Sequence, residues 1–268
     1  MKENLFIVPY DFTPVGDKAL NYAIHISKNL DVEIQIVHII SNNKIADITH
    51  EKLEKFISEL PYYSNIKYSY QLLIGTIFNT IGKYAEEKNA NLVIMGTHGM
   101  SGTQRLFGSF AIKVIDSTIV PFLIVQENTE ILDIKTMALY VDTSRESMQI
   151  VNVASHLADL LNAKLHVLYE ASTDVLIRNK INIQRRVIDE NYAQTNLNYE
   201  FIELAESGNS VKKIINHINE NDVDMICITY HSEALFKQFD TFAQELITNK
   251  LHKPCLINSA VSAGSAYF

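Results

Sequence analysis

The chain has 268 residues, with 31 acidic against 23 basic side chains and a net charge of −8. That balance, without any Lys/Arg-dense run, argues against a nucleic-acid partner, whose phosphates call for a basic face. Hydrophobic residues at 47% and charged residues at 20% exclude disorder as the default state and, at this length, suggest roughly two packed domains.

No apolar run reaches about 18 residues, so no membrane-spanning helix is expected. The start, Met1–Lys2–Glu3–Asn4–Leu5–Phe6–Ile7–Val8, leads into a strand and lacks the pattern of a signal peptide. A cytoplasmic protein is expected, with Cys227 and Cys255 as buried reduced thiols in apolar runs. Two cysteines and scattered histidines give no metal-ligand spacing.

Leu5–Pro9 reads as the first strand. Pro14 suits the first helical turn and Thr13 the N-cap before it. Ala19, Tyr22, Ala23 and Ile26 then recur at helical spacing. Val32–Ile39 is a β-favouring run, and residues 47–60 form an amphipathic helix. Lys67–Ile74 is a third strand broken by Gly75, with Tyr68 and Tyr70 packing on one face. A helix from about Ile77 to Glu87 precedes the strand Asn91–Met95. A glycine-dense loop, a helix over about 109–117 and the strand Phe122–Gln126 complete the first half.

The second half repeats this plan, with strands at Ala138–Val141, Lys164–Tyr169, Asn198–Leu204, Asp224–Thr229 and Cys255–Asn258. Helices fall at about 146–161, 173–193 and 209–220. Asp11 and Asp142 are 131 residues apart; Gly75 and Gly208, like Pro121 and Pro254, are 133 apart. This is a tandem duplication, with domains at 1–127 and 136–259, a polar linker Glu127–Lys135 and a tail from Ala260 to Phe268. Strands alternating with helices predict an α/β fold, each copy an open five-stranded parallel sheet covered by helices on both faces.

Four of the nine glycines, Gly96, Gly99, Gly102 and Gly108, follow the fourth strand and precede a helix. Glycine there lets backbone amides approach a phosphate and take positive φ, and the helix N-terminus favours an anion. Ser109 could cap that helix and donate to phosphate. A tight packing turn is the other reading of the cluster, which is neither a Walker A sequence nor a dinucleotide fingerprint. Asp11 stands just past the first strand, placed either to accept from a ribose or base, or to cap the next helix. His98 could touch phosphate or ribose, or orient the loop. No catalytic triad, paired carboxylates or Mg²⁺ site can be assembled.

These residues carry a resemblance. Val8–Pro9–Tyr10–Asp11–Phe12–Thr13, Gly75, Gly96–Thr97–His98–Gly99 with Gly108–Ser109, and Val120–Pro121–Phe122–Leu123–Ile124–Val125 are similar to the universal stress protein family, in two fused copies covering nearly the whole chain. The resemblance implies the adenine nucleotide alpha hydrolase-like fold. It implies adenine and ribose contacts at Pro9, Tyr10, Asp11 and Ile39. Phosphate and ribose contacts are implied at Met95, Gly96, Gly99, Gly108, Ser109 and Phe110. Members act as nucleotide-binding stress-response and signalling modules, usually dimeric, rather than as enzymes. ATP or another adenine nucleotide is the expected cofactor, with any Mg²⁺ carried by the nucleotide, and a protein partner of unspecified identity is expected. The family's ATP-binding pattern has nine residues between its second and third glycines; here eight, Met100 to Phe107, separate Gly99 from Gly108.

The second copy keeps Asp142 but not the glycines, which become Thr229, Ser232, Leu235 and Thr241 at the 133 offset. Nucleotide is therefore expected in the first copy only. The alternative is a nucleotide-free interaction scaffold with both pockets closed. Each copy ends in an apolar edge strand, Phe122–Val125 and Cys255–Ile257. Such edges invite pairing, so an intrachain pseudo-dimer with these strands antiparallel is expected, with a homodimer of whole chains as a further level.

Overall fold

The computed structural model describes residues 4–42, 45–97, 107–193, 195–231 and 238–260. The first half runs β1 (Asn4–Pro9), α1 (Pro14–Ile26), β2 (Val32–Ile40), α2 (Ala46–Ser58), β3 (Ile66–Ile74), α3 (Ile77–Lys88), β4 (Leu92–Thr97), α4 (Phe107–Ile115) and β5 (Phe122–Gln126). The second half runs β6 (Thr136–Tyr140), a single 3-10 turn (Glu146–Met148), α5 (Gln149–Leu161), β7 (Lys164–Glu170), α6 (Val175–Tyr192), β8 (Tyr199–Leu204), α7 (Ser210–Glu220), β9 (Met225–Tyr230), α8 (Gln238–Ile247) and β10 (Cys255–Ser259). The strands expected from sequence are present within one or two residues. Helix α8 is not among the elements read from the sequence, although Ala243, Leu246 and Ile247 are buried at helical spacing.

All ten strands form one sheet in the order β3-β2-β1-β4-β5-β10-β9-β6-β7-β8. Each half is a five-stranded parallel unit. The two join through β5 and β10, which pair antiparallel with Ile124 opposite Cys255 and Phe122 opposite Ile257. The expected intrachain pairing of the last strands is thus present, and the halves share a continuous sheet. Helices cover both faces, so the strands are apolar on both sides. Along β1, Phe6 and Val8 join the core beneath α1, α2, α5 and α6, while Ile7 joins the core beneath α3, α4, α7 and α8.

Thr13 caps α1 as expected: its side chain accepts from the Gly16 amide, and Pro14 opens the helix. Gly75 has φ +149° and Gly208 φ +105°, so both strand breaks use backbone that side chains rarely adopt. Tyr68 and Tyr70 pack partly buried against the α1–α2 side of the core. Cys227 and Cys255 are buried and unpaired, and burial raises both thiols well above their ordinary range.

The linker is not the loose polar spacer that its composition suggests. Thr129 is 1% and Ile134 7% exposed. The Thr129 hydroxyl accepts from the Gln126 amide at 2.9 Å. Asp224 Oδ2 accepts from the Lys135 and Thr136 amides at 2.8 and 3.0 Å.

Candidate functional site

In an open parallel sheet, a crevice forms at the carboxyl ends of strands where chain connections diverge to opposite sides. Here β1 lies between β2 and β4. A cavity of about 500 Å³ opens at that point, walled by Pro9, Tyr10 and Asp11 after β1, His38 and Ile39 of β2, Gly75–Phe78 before α3, Met95–Thr97 of β4, and Phe110 of α4. The cavity thus brings together seven of the eleven residues expected from sequence: Pro9, Tyr10, Asp11, Ile39, Met95, Gly96 and Phe110. Gly108 and Ser109 stand in the first turn of α4. Helical backbone there removes the expected need for positive φ at Gly108. His98 and Gly99 lie outside the described residues, as does Gly102.

Tyr10 is held from three sides. Its ring stacks on Phe56 at 4.8 Å and meets the edge of Phe12 at 5.0 Å. Its hydroxyl donates to Asp17 Oδ1 at 2.5 Å, and its carbonyl oxygen accepts from His38 Nδ1 at 2.6 Å. Burial, followed by the Asp17 carboxylate, drives its ionisation far above the ordinary tyrosine range. Tyr10 is therefore a fixed, neutral wall. Phe12 takes φ +61°, a strained conformation for an aromatic residue beside a pocket.

Asp11 is exposed at the rim. Its Oδ1 accepts from the Thr13 amide at 3.1 Å and from the Thr13 hydroxyl at 2.5 Å. Thr13 in turn accepts from the Gly16 amide at 3.2 Å. So Asp11 does not itself cap α1; it braces the threonine that does.

Gly96 answers a packing demand. A Cβ at this position would overlap both the side chain and the carbonyl of Val15. The first turn of α1 therefore sits directly on the end of β4, and only glycine permits that approach. The next residue, Thr97, is 4% exposed. Its hydroxyl is buried on the cavity wall without a hydrogen-bond partner among the described residues. Buried polar atoms are normally paired, so this hydroxyl stands available to a polar group that enters the cavity. Across the cavity, Phe78 stacks on Phe110 at 5.4 Å.

Thr97, His38 and the Gly75–Phe78 segment are walls that the sequence reading did not assign. Gly75 was visible as a strand break, but its position at the site depends on β3 lying two strands from β1. A threonine at a strand end carries no signal until its burial is known.

The second half uses the same corner differently. Asp142 Oδ1 accepts from the Ser144 amide at 2.8 Å, and Oδ2 lies 3.0 Å from His231 Nε2. Gln184 of α6 reaches across to donate to the carbonyl oxygens of Asp142 and Ser144 at 2.9 and 2.8 Å. The carboxylate that would face a ligand is thus engaged by the protein. Ser232 and Leu235, which stand where the first half has glycines, lie outside the described residues. Burial alone would raise the Asp142 carboxyl, but hydrogen bonds from His231 and Ser144 hold it below its ordinary value. A depressed carboxylate adds stability above its unfolded-state value and loses it as pH falls through the folded one. Urea midpoints should therefore decline as pH drops below about 4, and Asp142→Asn should flatten that decline. Identical acid profiles for the two proteins would contradict the pairing.

The open α/β sheet with its cavity at the switch point matches the adenine nucleotide alpha hydrolase-like class of fold. Residues 5–126 match the universal stress protein family. Over 144 residues the chain is 30% identical to universal stress protein MJ0531 of Methanocaldococcus jannaschii, covering 47% of this chain and 85% of that protein. It is 22% identical over 120 residues to universal stress protein A homolog 1 of Coxiella burnetii, covering 39% of this chain and 83% of the homolog. The crystal structure of a universal stress protein from Archaeoglobus fulgidus superposes with a TM-score of 0.74, covering 97% of this chain and 99% of that one at 18% identity. The chain belongs to the universal stress protein family.

Proposed function

We propose that the protein is a stress-response or signalling module that binds ATP or a related adenine nucleotide in its first half and catalyses no reaction on it. The orphaned Thr97 hydroxyl on the wall of the β1–β4 cavity carries this reading. The apolar Ile39, Met95 and Phe110 surround it with surface suited to a base, while Asp11 at the rim offers a carboxylate to ribose hydroxyls. The described lining contains neither Lys nor Arg. Phosphates would then rely on backbone amides at the N-terminus of α4 and in the glycine loop before it. Any Mg²⁺ would arrive with the nucleotide. No described helix is long and apolar enough to cross a membrane, and we place the module in the cytoplasm, where it would act through a protein partner.

The scaffold reading draws on Asp142 and His231, whose pairing engages the second corner from within. It extends to the first half only if the short Gly99–Gly108 loop also shuts that cavity.

Calorimetric titration of ATP decides between them. Thr97→Val is expected to weaken binding about three- to tenfold, the worth of one hydrogen bond, without lowering thermal stability, because the hydroxyl has no partner to lose among the described residues. Asp142→Ala is expected to leave affinity unaltered. No heat of binding with wild-type protein, and no nucleotide released from it on denaturation, would favour the scaffold.

A further inference from the structure

The two halves are related by a pseudo-twofold axis between β5 and β10, so a surface on one side has an equivalent position on the other. One such pair lies at the amino ends of the strands, beneath α1 and α5. On the second-half side, Tyr22 of α1, Asp224 and Pro254 line the groove together with the linker residues Asn128 and Ile134. On the first-half side, Val153 and His156 of α5, Asn91 and Pro121 form a groove of about 330 Å³. The equivalence is fixed by hydrogen bonds as well as by spacing. Asn91 Oδ1 accepts from the Leu5 amide at 2.9 Å, as Asp224 accepts from the Thr136 amide at 3.0 Å.

The linker shows what such a groove recognises. Ile134 enters the core and Ile131 packs against it. Asp133 Oδ1 lies 3.0 Å from His25 Nε2, and Lys18 donates to the Thr129 carbonyl oxygen at 2.9 Å. Beneath this cover, Tyr22 is fully buried. In the other groove the counterpart of Tyr22, Val153, is only half-buried, and the counterpart of His25, His156, is exposed. Leu157, Leu160 and Leu256 supply its apolar floor. At the 131-residue offset, Asp133 and Ile134 correspond to Lys2 and Glu3, a base in place of the acid and an acid in place of the aliphatic group.

We propose that the groove between α5 and the amino ends of β1 and β4 is a docking site for an extended segment of a partner protein, with aliphatic residues on either side of an aspartate as Ile131 and Ile134 stand about Asp133. The aliphatic side chains would cover Val153, Leu157 and Leu160, and the aspartate would face His156. The surface is distinct from the nucleotide cavity, which lies at the carboxyl ends of the same strands.

The test uses a fluorescein-labelled peptide with the sequence of residues 127–135, titrated with the full chain and followed by anisotropy. Saturable binding is expected, with a dissociation constant on the order of 100 µM for so small a contact. His156→Glu, at an exposed position that leaves the core intact, should weaken it about fivefold, and so should aspartate-to-asparagine substitution in the peptide. His25→Gln should have no effect. Absence of saturable binding overturns the proposal. Sensitivity to His25 rather than His156 also overturns it, because the peptide would then be displacing the linker from its own groove. Binding that emerges only after residues 261–268 are removed would assign the groove to the chain's own tail. Self-association of the chain that His156→Glu abolishes would assign it to a second copy. Either result replaces the proposed partner.

Discussion

An Ile124→Pro variant is expected to lose about 3 kcal/mol or more of stability, because proline removes a ladder donor and its ring cannot be seated inside a sheet. Ile124 is 1% exposed, pairs with Met95 of β4 on one side and with Cys255 of β10 on the other. Whichever neighbour its amide serves, the loss falls where the two halves meet. At this chain size the apparent melting temperature should fall by roughly 6–12 °C. Limited proteolysis should then cut the linker, whose Thr129 amide and side chain are fastened to Gln126 at the end of β5. A variant that melts with the wild type and keeps its linker protected would show that the β5–β10 junction contributes little to holding the halves together.

Gly96→Ala is expected to be nearly as damaging, at about 2–3 kcal/mol. The added methyl would meet the Val15 carbonyl and side chain together. A flexible side chain could rotate away; a carbonyl in the first turn of a helix cannot. Relief requires α1 to lift from β4, and α1 also carries the Asp17 carboxylate that anchors Tyr10. Both the melting temperature, by roughly 5–10 °C, and ATP affinity should therefore fall. Loss of affinity with unchanged stability would instead place Gly96 directly against the phosphates and relieve it of the packing role.

The fold was legible because parallel strands covered on both faces read as continuous apolar runs, and because the second half repeats the strand plan of the first. Val93–Met95 and Ile226–Ile228 could be recognised by position as well as by composition. Helix α8 escaped because its apolar residues begin only after the stretch from Tyr230 to Gln238, where the periodicity is broken. The linker misled for a different reason. Polar residues outnumber apolar ones between Glu127 and Lys135, but Thr129, Ile131 and Ile134 are the ones that touch the core.

At the site, contributions from β1 and β4 were readable, since Asp11 and Gly96 sit beside strand ends with turn chemistry around them. From β2 only Ile39 was named, and that through the family resemblance; His38 and the β3–α3 connection were not. His38 and Phe78 become neighbours of Asp11 only once the strand order is known. The conformation of Phe12 was invisible as well, because no residue type at that position advertises a left-handed backbone.

The antiparallel junction also sets a timetable for synthesis. Strand β5 is complete once the chain reaches Gln126, but its partner β10 begins at Cys255. At ordinary translation speeds, about ten seconds pass between the two events. During that interval a folded first half on the ribosome presents Phe122–Val125 as an uncovered apolar edge, and neighbouring ribosomes on one message would hold identical edges close together. Carrying both strands on one chain supplies the partner in the finished protein, yet makes the nascent chain wait for it. Release of a chain interrupted in the second half would yield a species whose most avid partner is another first half.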